Sequence, residues 1–407
     1  MRRSRLCYRP QPVPGSLLPL AGITVVALEQ AVAVPFATRQ LADLGARIIK
    51  IERPVDGDFA RGFDTTVQGL ASHFVWLNRS KESLTLDVKR PEAGEVLTRL
   101  LQRADVFVQN LAPGAADRLG LDTPTLRAAH PRLIVCSLTG YGSTGPYAMK
   151  KAYDLLVQSE VGLVSITGTP ETPSKAGLSI ADIAGGMYAY SGILTALLQR
   201  SRTGQGTALE VSLFEALGEW MGYAMYYTFG GTPPPRTGAS HATIAPYGPY
   251  RLRDGEEVIF GIQNNREWAT FCTRVLARPA LADDARFQGN RLRVQHRAVV
   301  DSEIAAVFTG LPAGEVMRRL EAAQIANARL NTVEQFIDHP QLTGRRAWRE
   351  VASPVGPIRA LVPPVRIDGV EPVMGAIPAL GEHRESILAE LGFDTATIER
   401  WTREGVI

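Results

Sequence analysis

Cysteine and histidine are sparse in this 407-residue sequence, and neither forms a recognisable motif. The three cysteines, Cys7, Cys136 and Cys272, are odd in number and far apart, without the spacing of a zinc site or of a disulfide framework. The six histidines are scattered, and no HExxH or GxSxG motif occurs. We therefore expect a protein of the reducing cytoplasm, with no metal cofactor and no Ser-His hydrolase site.

Long apolar runs and a strong excess of one charge are also missing. No uncharged apolar run reaches 18 residues, so we expect no membrane-spanning helix. Lys and Arg number 44 against 41 Asp and Glu. The resulting net charge of +3 argues against a nucleic-acid partner, although it allows local basic pockets for anionic ligands. With 45% hydrophobic and 21% charged residues, the chain is typical of a globular protein of two or three domains.

What the sequence does contain, from Leu20 onward, is an alternation of short apolar runs with amphipathic stretches. The runs predict strands at 23–28, 47–51, 105–108 and 133–137, and the stretches predict helices at 36–44 and 91–103. A longer helix is predicted to begin at Asp182 and to continue to about Arg200. This order indicates an α/β fold, with a Rossmann-like parallel sheet covered by helices on both faces.

Glycine is absent from the one place where a nucleotide-binding sheet needs it. The turn after the first predicted strand reads EQAVAV, whereas the dinucleotide fingerprint requires glycines there for close approach of the backbone to pyrophosphate. No P-loop sequence occurs either. We therefore expect neither NAD nor ATP as a cofactor.

The second half of the chain is predicted to contain a smaller α+β domain. The triple proline at 233–235 favours an extended linker, and the turn Asp254-Gly255 predicts an antiparallel hairpin. Helices are predicted at 266–276, 302–308 and, near the end, 382–391. Residues 1–19 begin with an Arg-rich, acid-free stretch that we interpret as a disordered extension, with a transit peptide as the alternative.

Several segments in a fixed order resemble one enzyme family. They are LAGITVVALEQAVAVPFATRQLADLGARIIKIERP with GDFAR, LNRSKESLTLDVKRPEA, ADVFVQNLAPGAADRLGLD, HPRLIVCSLTGYGSTGPY, AYDLLVQSEVGLVSITG and ADIAGGMYAYSGILTALLQRSRTGQG. Together they cover most of residues 20–215 and are similar to the class III CoA-transferases, which include formyl-CoA transferase and carnitine CoA-transferase. The related α-methylacyl-CoA racemases share the same resemblance. The implied ligand is coenzyme A or an acyl-CoA, used as a substrate.

Asp182 matches the nucleophilic aspartate of this family. The sequence pattern alone predicts that an aspartate at a helix start is a simple N-cap residue, which would accept hydrogen bonds from backbone N–H groups and stay ionised. The resemblance implies instead that its carboxylate attacks an acyl-CoA thioester and forms an anhydride, then an aspartyl-CoA thioester. Gly185 and Gly186 would let a bulky thioester approach the helix start, and their amides would be oxyanion donors.

The resemblance also implies a coenzyme A site on strand ends and loops. Arg53, Arg118 and Lys151 suit the phosphates, and apolar or backbone groups suit the adenine and pantetheine. One departure from the family is Thr139, where some relatives have a lysine. The implied positions are Val32, Ala33, Arg53, Leu86, Asn110, Leu111, Ala115, Arg118 and Lys151.

Asp154 and the residue before it bear on the racemase alternative. Racemases of this superfamily have His-Asp where this chain has Tyr153-Asp154, and the histidine is one of their two proton-transfer bases. Tyrosine has too high an ordinary pKa to replace it easily. We therefore favour a transferase with Asp154 as an auxiliary acid or a structural residue. A non-catalytic protein that binds coenzyme A is a third hypothesis.

The sequences of these segments most resemble those of family members that use succinyl-CoA and C4 to C5 dicarboxylates. Itaconate, mesaconate, citramalate and malate are therefore the implied acceptor acids. Gln30, Arg236 and His241 are the candidates for contacting such a substrate.

The family architecture implies a division of the chain into domains that its length and composition alone do not indicate. One large α/β domain would comprise residues 20–228 together with a return segment at 331–407, and the small domain would be inserted at 229–330. The two connections would form a ring around a second subunit, which predicts an interlocked homodimer.

Overall fold

The computed structural model describes residues 18–407, which form eleven strands and nineteen α-helices. In chain order the strands are β1 (Thr24–Leu28), β2 (Arg47–Glu52), β3 (Lys81–Thr85), β4 (Val106–Gln109), β5 (Ile134–Thr139), β6 (Ala208–Ser212), β7 (Tyr247–Arg251), β8 (Glu257–Gly261), β9 (Asn327–Arg329), β10 (Trp348–Val351) and β11 (Ile358–Leu361).

The helices lie singly or in groups between and after these strands, and a 3-10 turn at Phe59–Gly62 follows β2. In chain order they are α1 (Ala33–Asp43), α2 (Ser72–Leu77), α3 (Pro91–Leu101), α4 (Ala115–Arg118), α5 (Thr123–Ala129), α6 (Asp154–Glu160), α7 (Leu163–Ile166), α8 (Ile180–Thr203), α9 (Leu213–Trp220), α10 (Gly222–Phe229), α11 (Asn265–Thr270), α12 (Ala280–Asp283), α13 (Asn290–Gln295), α14 (Arg297–Phe308), α15 (Ala313–Ala322), α16 (Val333–Ile337), α17 (Pro340–Gly344), α18 (Arg384–Glu390) and α19 (Thr395–Arg403).

A six-stranded parallel sheet with the order β3-β2-β1-β4-β5-β6 is the centre of the larger unit. The predicted α/β fold class is therefore confirmed, and the four predicted strands lie within about two residues of the observed ones. Helix α1 begins three residues before the predicted start, because Pro35 is accommodated in the first turn, where a missing N–H costs nothing.

Strands β3 and β6 were not predicted, and their sequences show why. Strand β3 begins Lys81-Glu82, and its Lys81 side chain is buried, so the strand lacks the apolar run that marks its neighbours. Strand β6 alternates exposed and half-buried residues at the edge of the sheet. The sequence pattern therefore does not predict β3, because a charged side chain is buried in it, and does not predict β6, because it lies at the edge of the sheet.

The two faces of the sheet are covered differently. On one face, α3, α5, α18 and α19 close an apolar core that includes Phe107, Leu388 and Trp401. On the other face, α1 packs closely against α8: a Cβ atom added to Gly186 would lie 2.5 Å from the carbonyl oxygen of Ala33. Helix α18 confirms the helix predicted at 382–391, whereas α19 was not predicted.

The chain divides into two compact units. The first contains residues 18–161 together with Gly177–Met221 and Thr343–Ile407, and the second contains Gly162–Ala176 and Gly222–Leu342. The second unit therefore extends beyond the predicted limits of 229–330 at both ends and adds a segment at 162–176. That segment stays with it because Arg236 and Gly238 form hydrogen bonds to carbonyl groups between Ser165 and Pro170.

The second unit has its own antiparallel sheet, β7-β8-β9, and an aromatic core around Phe260, Phe271 and Phe308. The hairpin β7-β8 turns at Asp254-Gly255 as predicted, with Gly255 in the left-handed region at a φ of 82°. Helices α11 and α14 confirm the two predicted after the hairpin. In the portion of the chain that the structure describes, no helix is both long and apolar enough to cross a membrane.

Candidate active site

A cavity of about 640 Å³ lies in the first unit beyond the carboxyl ends of β1 to β4. Leu28, Ile51, Leu86 and Leu111 supply an apolar wall, because each lies at or just beyond the end of one of these strands. Parallel α/β sheets bind ligands in this position, where the strand order reverses between neighbouring strands such as β1 and β4. The geometry is that of a ligand site without a glycine-rich loop.

Three basic side chains, Arg53, Lys89 and Arg118, line the same cavity. The guanidinium group of Arg53 donates to the carbonyl oxygen of Gly57 at 3.3 Å and lies 4.5 Å from the centre of the Phe59 ring. These contacts hold the charge in place without neutralising it. The combination of an apolar wall and three cations, of which Arg53 is held in place, suits a ligand that carries phosphates on an apolar or aromatic body.

Most of the positions implied for coenzyme A meet at this cavity. Its lining includes the predicted residues Arg53, Leu86, Leu111, Ala115 and Arg118, and also Gln30. Lys89 was missed by sequence reasoning, although it follows β3 as Arg53 follows β2, and a basic residue just beyond a strand end was the available signal.

The remaining implied positions do not line the cavity. Val32 and Ala33 are buried at the start of α1, and Lys151 is exposed in the loop before α6. The side chain of Asn110 binds the backbone of Gln30. Its Oδ1 accepts from the N–H of Gln30 and its Nδ2 donates to the carbonyl oxygen of Gln30, both at 2.9 Å.

Asp182 lies in the first turn of α8, but it is not the N-cap residue. Ser179 holds that position and α8 begins at Ile180, so the predicted helix start at Asp182 was two residues late. Among residues 18–407, no hydrogen-bond donor reaches the carboxylate of Asp182. Burial first, and the charge of Asp154 second, raise the pKa of Asp182 to about 7. The prediction that backbone N–H groups keep this residue ionised is therefore wrong.

Asp154 takes the capping role that was predicted for Asp182. Its Oδ1 accepts from the backbone N–H of Ala181 at 2.7 Å and of Asp182 at 3.4 Å. Gln158, one turn further along α6, donates to its Oδ2 at 2.7 Å. Asp154 thus fixes the start of α8 and places a negative charge beside Asp182.

The two glycines after Asp182 serve helix packing. A Cβ atom on Gly185 would lie 2.6 Å from Cδ2 of Leu213, and one on Gly186 would meet the backbone of α1. Both glycines are buried inside α8, where their amides are engaged in the helix. The expectation that they admit a thioester or donate to an oxyanion is therefore not supported, since α1 and Leu213 already occupy the space.

Arg236 and His241 belong to the second unit. All three guanidinium nitrogens of Arg236 donate to carbonyl oxygens, those of Thr169, Ser165 and Pro170, at 2.7 to 3.1 Å. The ring of His241 stacks on Tyr247 with the centroids 5.3 Å apart, and its Nδ1 accepts from the N–H of Thr243. Arg236 thus connects its own loop to the segment 165–170 through hydrogen bonds.

Comparison with known proteins gives one consistent result. Residues 20–384 match the family model described as CoA-transferase family III. The chain is 34% identical over 405 residues to the mouse succinyl-CoA:glutarate CoA-transferase, covering 98% of this chain and 92% of the mouse protein. It is also 34% identical over 402 residues to the succinate–glutarate CoA-transferase of Agrobacterium fabrum, covering 95% and 98% of the two chains.

Solved structures agree with the sequence comparison. A CAIB/BAIF family protein from Brucella suis superposes with a TM-score of 0.80 at 33% identity, covering 94% of this chain and all of that one. A protein from Mycobacterium tuberculosis gives a TM-score of 0.82 at 28% identity, covering 93% of this chain and all of that one.

Proposed function

Because this chain belongs to CoA-transferase family III and is a CoA-transferase, we propose that it moves coenzyme A from succinyl-CoA, or another dicarboxylic acyl-CoA, to a free dicarboxylic acid. The proposal is supported by relatives at 30% to 34% identity that are named for glutarate, L-malate, D-citramalate and mesaconate. We propose an acceptor of the itaconate, mesaconate, citramalate or malate type.

The proposed nucleophile is the carboxylate of Asp182. It attacks the thioester carbonyl of the donor and expels the coenzyme A thiolate, which leaves a mixed anhydride on Asp182. The thiolate then attacks the aspartyl carbonyl, which releases the donor acid and leaves an aspartyl-CoA thioester. The acceptor carboxylate repeats the two steps in reverse and restores Asp182. Each step exchanges one activated acyl group for another, so no ATP is consumed.

The observation that carries the proposal is the environment of Asp182. A carboxylate that accepts no hydrogen bond among the described residues and has a pKa raised to about 7 is poorly stabilised, and it is therefore a better nucleophile once ionised. The cap from Asp154 keeps the first turn of α8 in place while the negative charge of Asp182 is lost and regained. We propose this auxiliary role for Asp154, without a covalent step.

The cavity at the carboxyl ends of β1 to β4 is the proposed coenzyme A site. Arg53, Lys89 and Arg118 would bind the phosphates, and the leucine wall would hold the apolar part. Lys151 stays a candidate for a phosphate contact. For the acid substrate, Gln30 and His241 stay candidates, whereas Arg236 is expected to shape its loop because its nitrogens already have acceptors.

We also propose that the chain forms an interlocked homodimer in the cytoplasm. Helix α10 carries Tyr226 and Phe229, which are 75% and 79% exposed in the single chain, and side chains of this kind are usually covered by a partner. Size-exclusion chromatography with light scattering tests this directly. A stable species near 44.2 kDa, the mass of a single chain, would contradict it.

The experiment that tests the reaction is a panel of donors and acceptors. We expect succinyl-CoA with a C4 to C5 dicarboxylic acid to give the new acyl-CoA, and we expect hydroxylamine to attack the activated carbonyl of Asp182, to release coenzyme A and to leave a stable hydroxamate on this residue. Asp182→Asn should lower the rate by about a thousandfold or more, because covalent catalysis is lost. Asp394→Asn, at the N-cap of α19, is the matched control and should keep full activity.

Other outcomes would separate the alternatives. Exchange of the α-proton of a 2-methylacyl-CoA with deuterated solvent, without any acceptor acid, would favour the racemase. Tight binding of coenzyme A without exchange of labelled acid into the thioester would favour a binding protein. Full transfer activity in Asp182→Asn would overturn the proposed mechanism.

A further inference from the structure

A second cavity of the first unit, of about 680 Å³, lies at the opposite end of the parallel sheet from the cavity described above. Leu44 forms part of its wall, and this residue lies between the end of α1 and the start of β2, at the amino ends of the strands. Among the described residues, none lines both cavities. The proposed transfer chemistry therefore does not use this second cavity.

The rest of the wall comes from the open end of the antiparallel pair β10-β11 and from the segment that follows it. Trp348 faces Leu361 in this pair, and the N–H of Val362 donates to the carbonyl oxygen of Ala347 at 2.9 Å. This register brings the residues just before β10 beside the residues just after β11. Both segments contribute arginines to the cavity.

Four arginines line this cavity, namely Arg345, Arg346, Arg349 and Arg366. Among residues 18–407, Arg349 alone of the four is ion-paired, to Glu371 at 2.9 Å, and this pair is exposed and therefore weak. The guanidinium group of Arg366 donates instead to the carbonyl oxygen of Arg345 at 2.6 Å, which holds it without neutralising its charge. Asp368 and Glu371 also line the cavity, which leaves an excess of two positive charges.

Arg346 has a strained backbone conformation at this position. Its φ is 49°, in the left-handed region that glycine adopts freely and that long side chains rarely adopt. In the described part of the chain, its guanidinium group has no hydrogen-bond or ion-pair partner that would compensate the strain. Strain of this kind is concentrated at ligand sites, where the side chain serves the ligand and not the fold.

We propose that this cavity is a second anion site, which binds a small molecule that carries two or more phosphate groups. Guanidinium groups bind phosphate oxygens through pairs of parallel hydrogen bonds, and the four positive charges repel one another until an anion binds between them. The side chains of Val365 and Ile367, which are 72% and 42% exposed, would contact the body of such a ligand. The inference does not depend on the proposed function, because it uses none of the same residues.

Calorimetric titration with inorganic pyrophosphate, at constant ionic strength and without divalent metal ions, tests the inference. The parent protein is Lys89→Ala combined with Arg118→Ala, which removes two cations of the first cavity, and we expect it to bind one pyrophosphate per chain. Adding Arg345→Gln or Arg346→Gly should weaken this binding at least about tenfold, because each change removes charge-assisted hydrogen bonds. Succinate, which has fewer acceptor oxygens and less charge, should bind to the parent at least about tenfold more weakly than pyrophosphate.

Arg346→Gly keeps the test independent of folding. Glycine adopts the observed φ without strain, and the change removes one of several charges that repel one another. The midpoint of thermal unfolding without ligand should therefore equal or exceed that of the parent. Arg202→Gln is the matched control for the loss of one positive charge. Arg202 is exposed in the last turn of α8 and lies outside both cavities, so this variant should bind pyrophosphate like the parent.

The inference would be overturned if Arg346→Gly left pyrophosphate binding unchanged, if Arg202→Gln weakened it equally, or if succinate bound as tightly as pyrophosphate. A parent variant that binds no pyrophosphate would overturn it as well, because the first cavity would then account for all binding. Should the parent variant not fold, the wild type is titrated instead. An equal number of pyrophosphates bound per chain by the wild type and by Arg346→Gly would then overturn the inference.

Discussion

Replacing Asp182 by asparagine is expected to remove activity and, at alkaline pH, to stabilise the protein. The pKa of Asp182 is raised from 3.8 to about 7, so between these pH values the native state binds more protons than the unfolded state. The free energy of unfolding of the wild type therefore falls as the pH rises through this window. Asparagine cannot ionise, so the variant escapes this loss.

The size of the effect follows from the shift. A displacement of about three pH units corresponds to at most about 4 kcal/mol, and the partial contact of Asp182 with solvent reduces it to roughly half. Part of the loss is already present at pH 5, because the unfolded carboxyl is ionised there. We therefore expect the stability advantage of Asp182→Asn over the wild type to grow by about 1–3 kcal/mol between pH 5 and pH 8.5.

Urea denaturation at the two pH values, without coenzyme A, measures this difference. Asp394→Asn is the control of opposite sign. Hydrogen bonds from Thr397 lower the pKa of Asp394, so its stabilising contribution is present above its ordinary pKa, and the substitution should destabilise the protein at neutral pH. If Asp182→Asn were no more stable than the wild type at pH 8.5, or if its stability advantage did not change with pH, the pKa of Asp182 would not be raised by burial and by Asp154 as described.

Three other predictions follow from the same geometry. The value of kcat/KM should rise with pH to a plateau, with an apparent pKa near 7, because Asp182 attacks only when ionised; a flat profile from pH 5.5 to 8.5 would contradict this. Lys89→Ala combined with Arg118→Ala should raise the KM for the acyl-CoA at least about tenfold, in steady-state assays, and leave the KM for the acid unchanged. Gly186→Ala should cost about 1–3 kcal/mol in thermal unfolding, because its Cβ would meet the backbone of α1, whereas Gly94→Ala in α3, with open space around it, should be neutral or stabilising.

The fold could be predicted where the sequence pattern is apolar. Strands such as β1 and β5 are nearly continuous hydrophobic runs, because both of their faces are buried in a parallel sheet. Strand β3 could not be predicted in this way, because its buried Lys81 is compensated by Glu29, which lies 52 residues earlier. A pattern read along the chain contains no information on such a distant partner.

Single residues of the candidate site could be proposed from the sequence, but the hydrogen bonds between residues far apart in the chain could not. The resemblance implied Asp182 and six of the fifteen residues that line the cavity, whereas the helix-start pattern assigned to Asp182 the backbone hydrogen bonds that Asp154 accepts. The two residues are 28 positions apart, and only the folded chain shows that α6 begins beside the start of α8. The hydrogen bond from the N–H of Ala31 to Asp58 is of the same kind, since the backbone is the donor and the type of side chain at position 31 gives no sign of it.

The apolar core on one face of the parallel sheet has a consequence for biosynthesis. Ile387, Leu388 and Trp401 pack with Val26 and Phe107, so the first unit draws on residues made both before and after the whole second unit. During translation, the early strands must wait for more than two hundred further residues before that core can close. The nascent protein therefore leaves exposed, for many seconds at ordinary elongation rates, the part of this face that α18 and α19 cover in the finished chain, and a chain interrupted before α18 would leave that part exposed permanently.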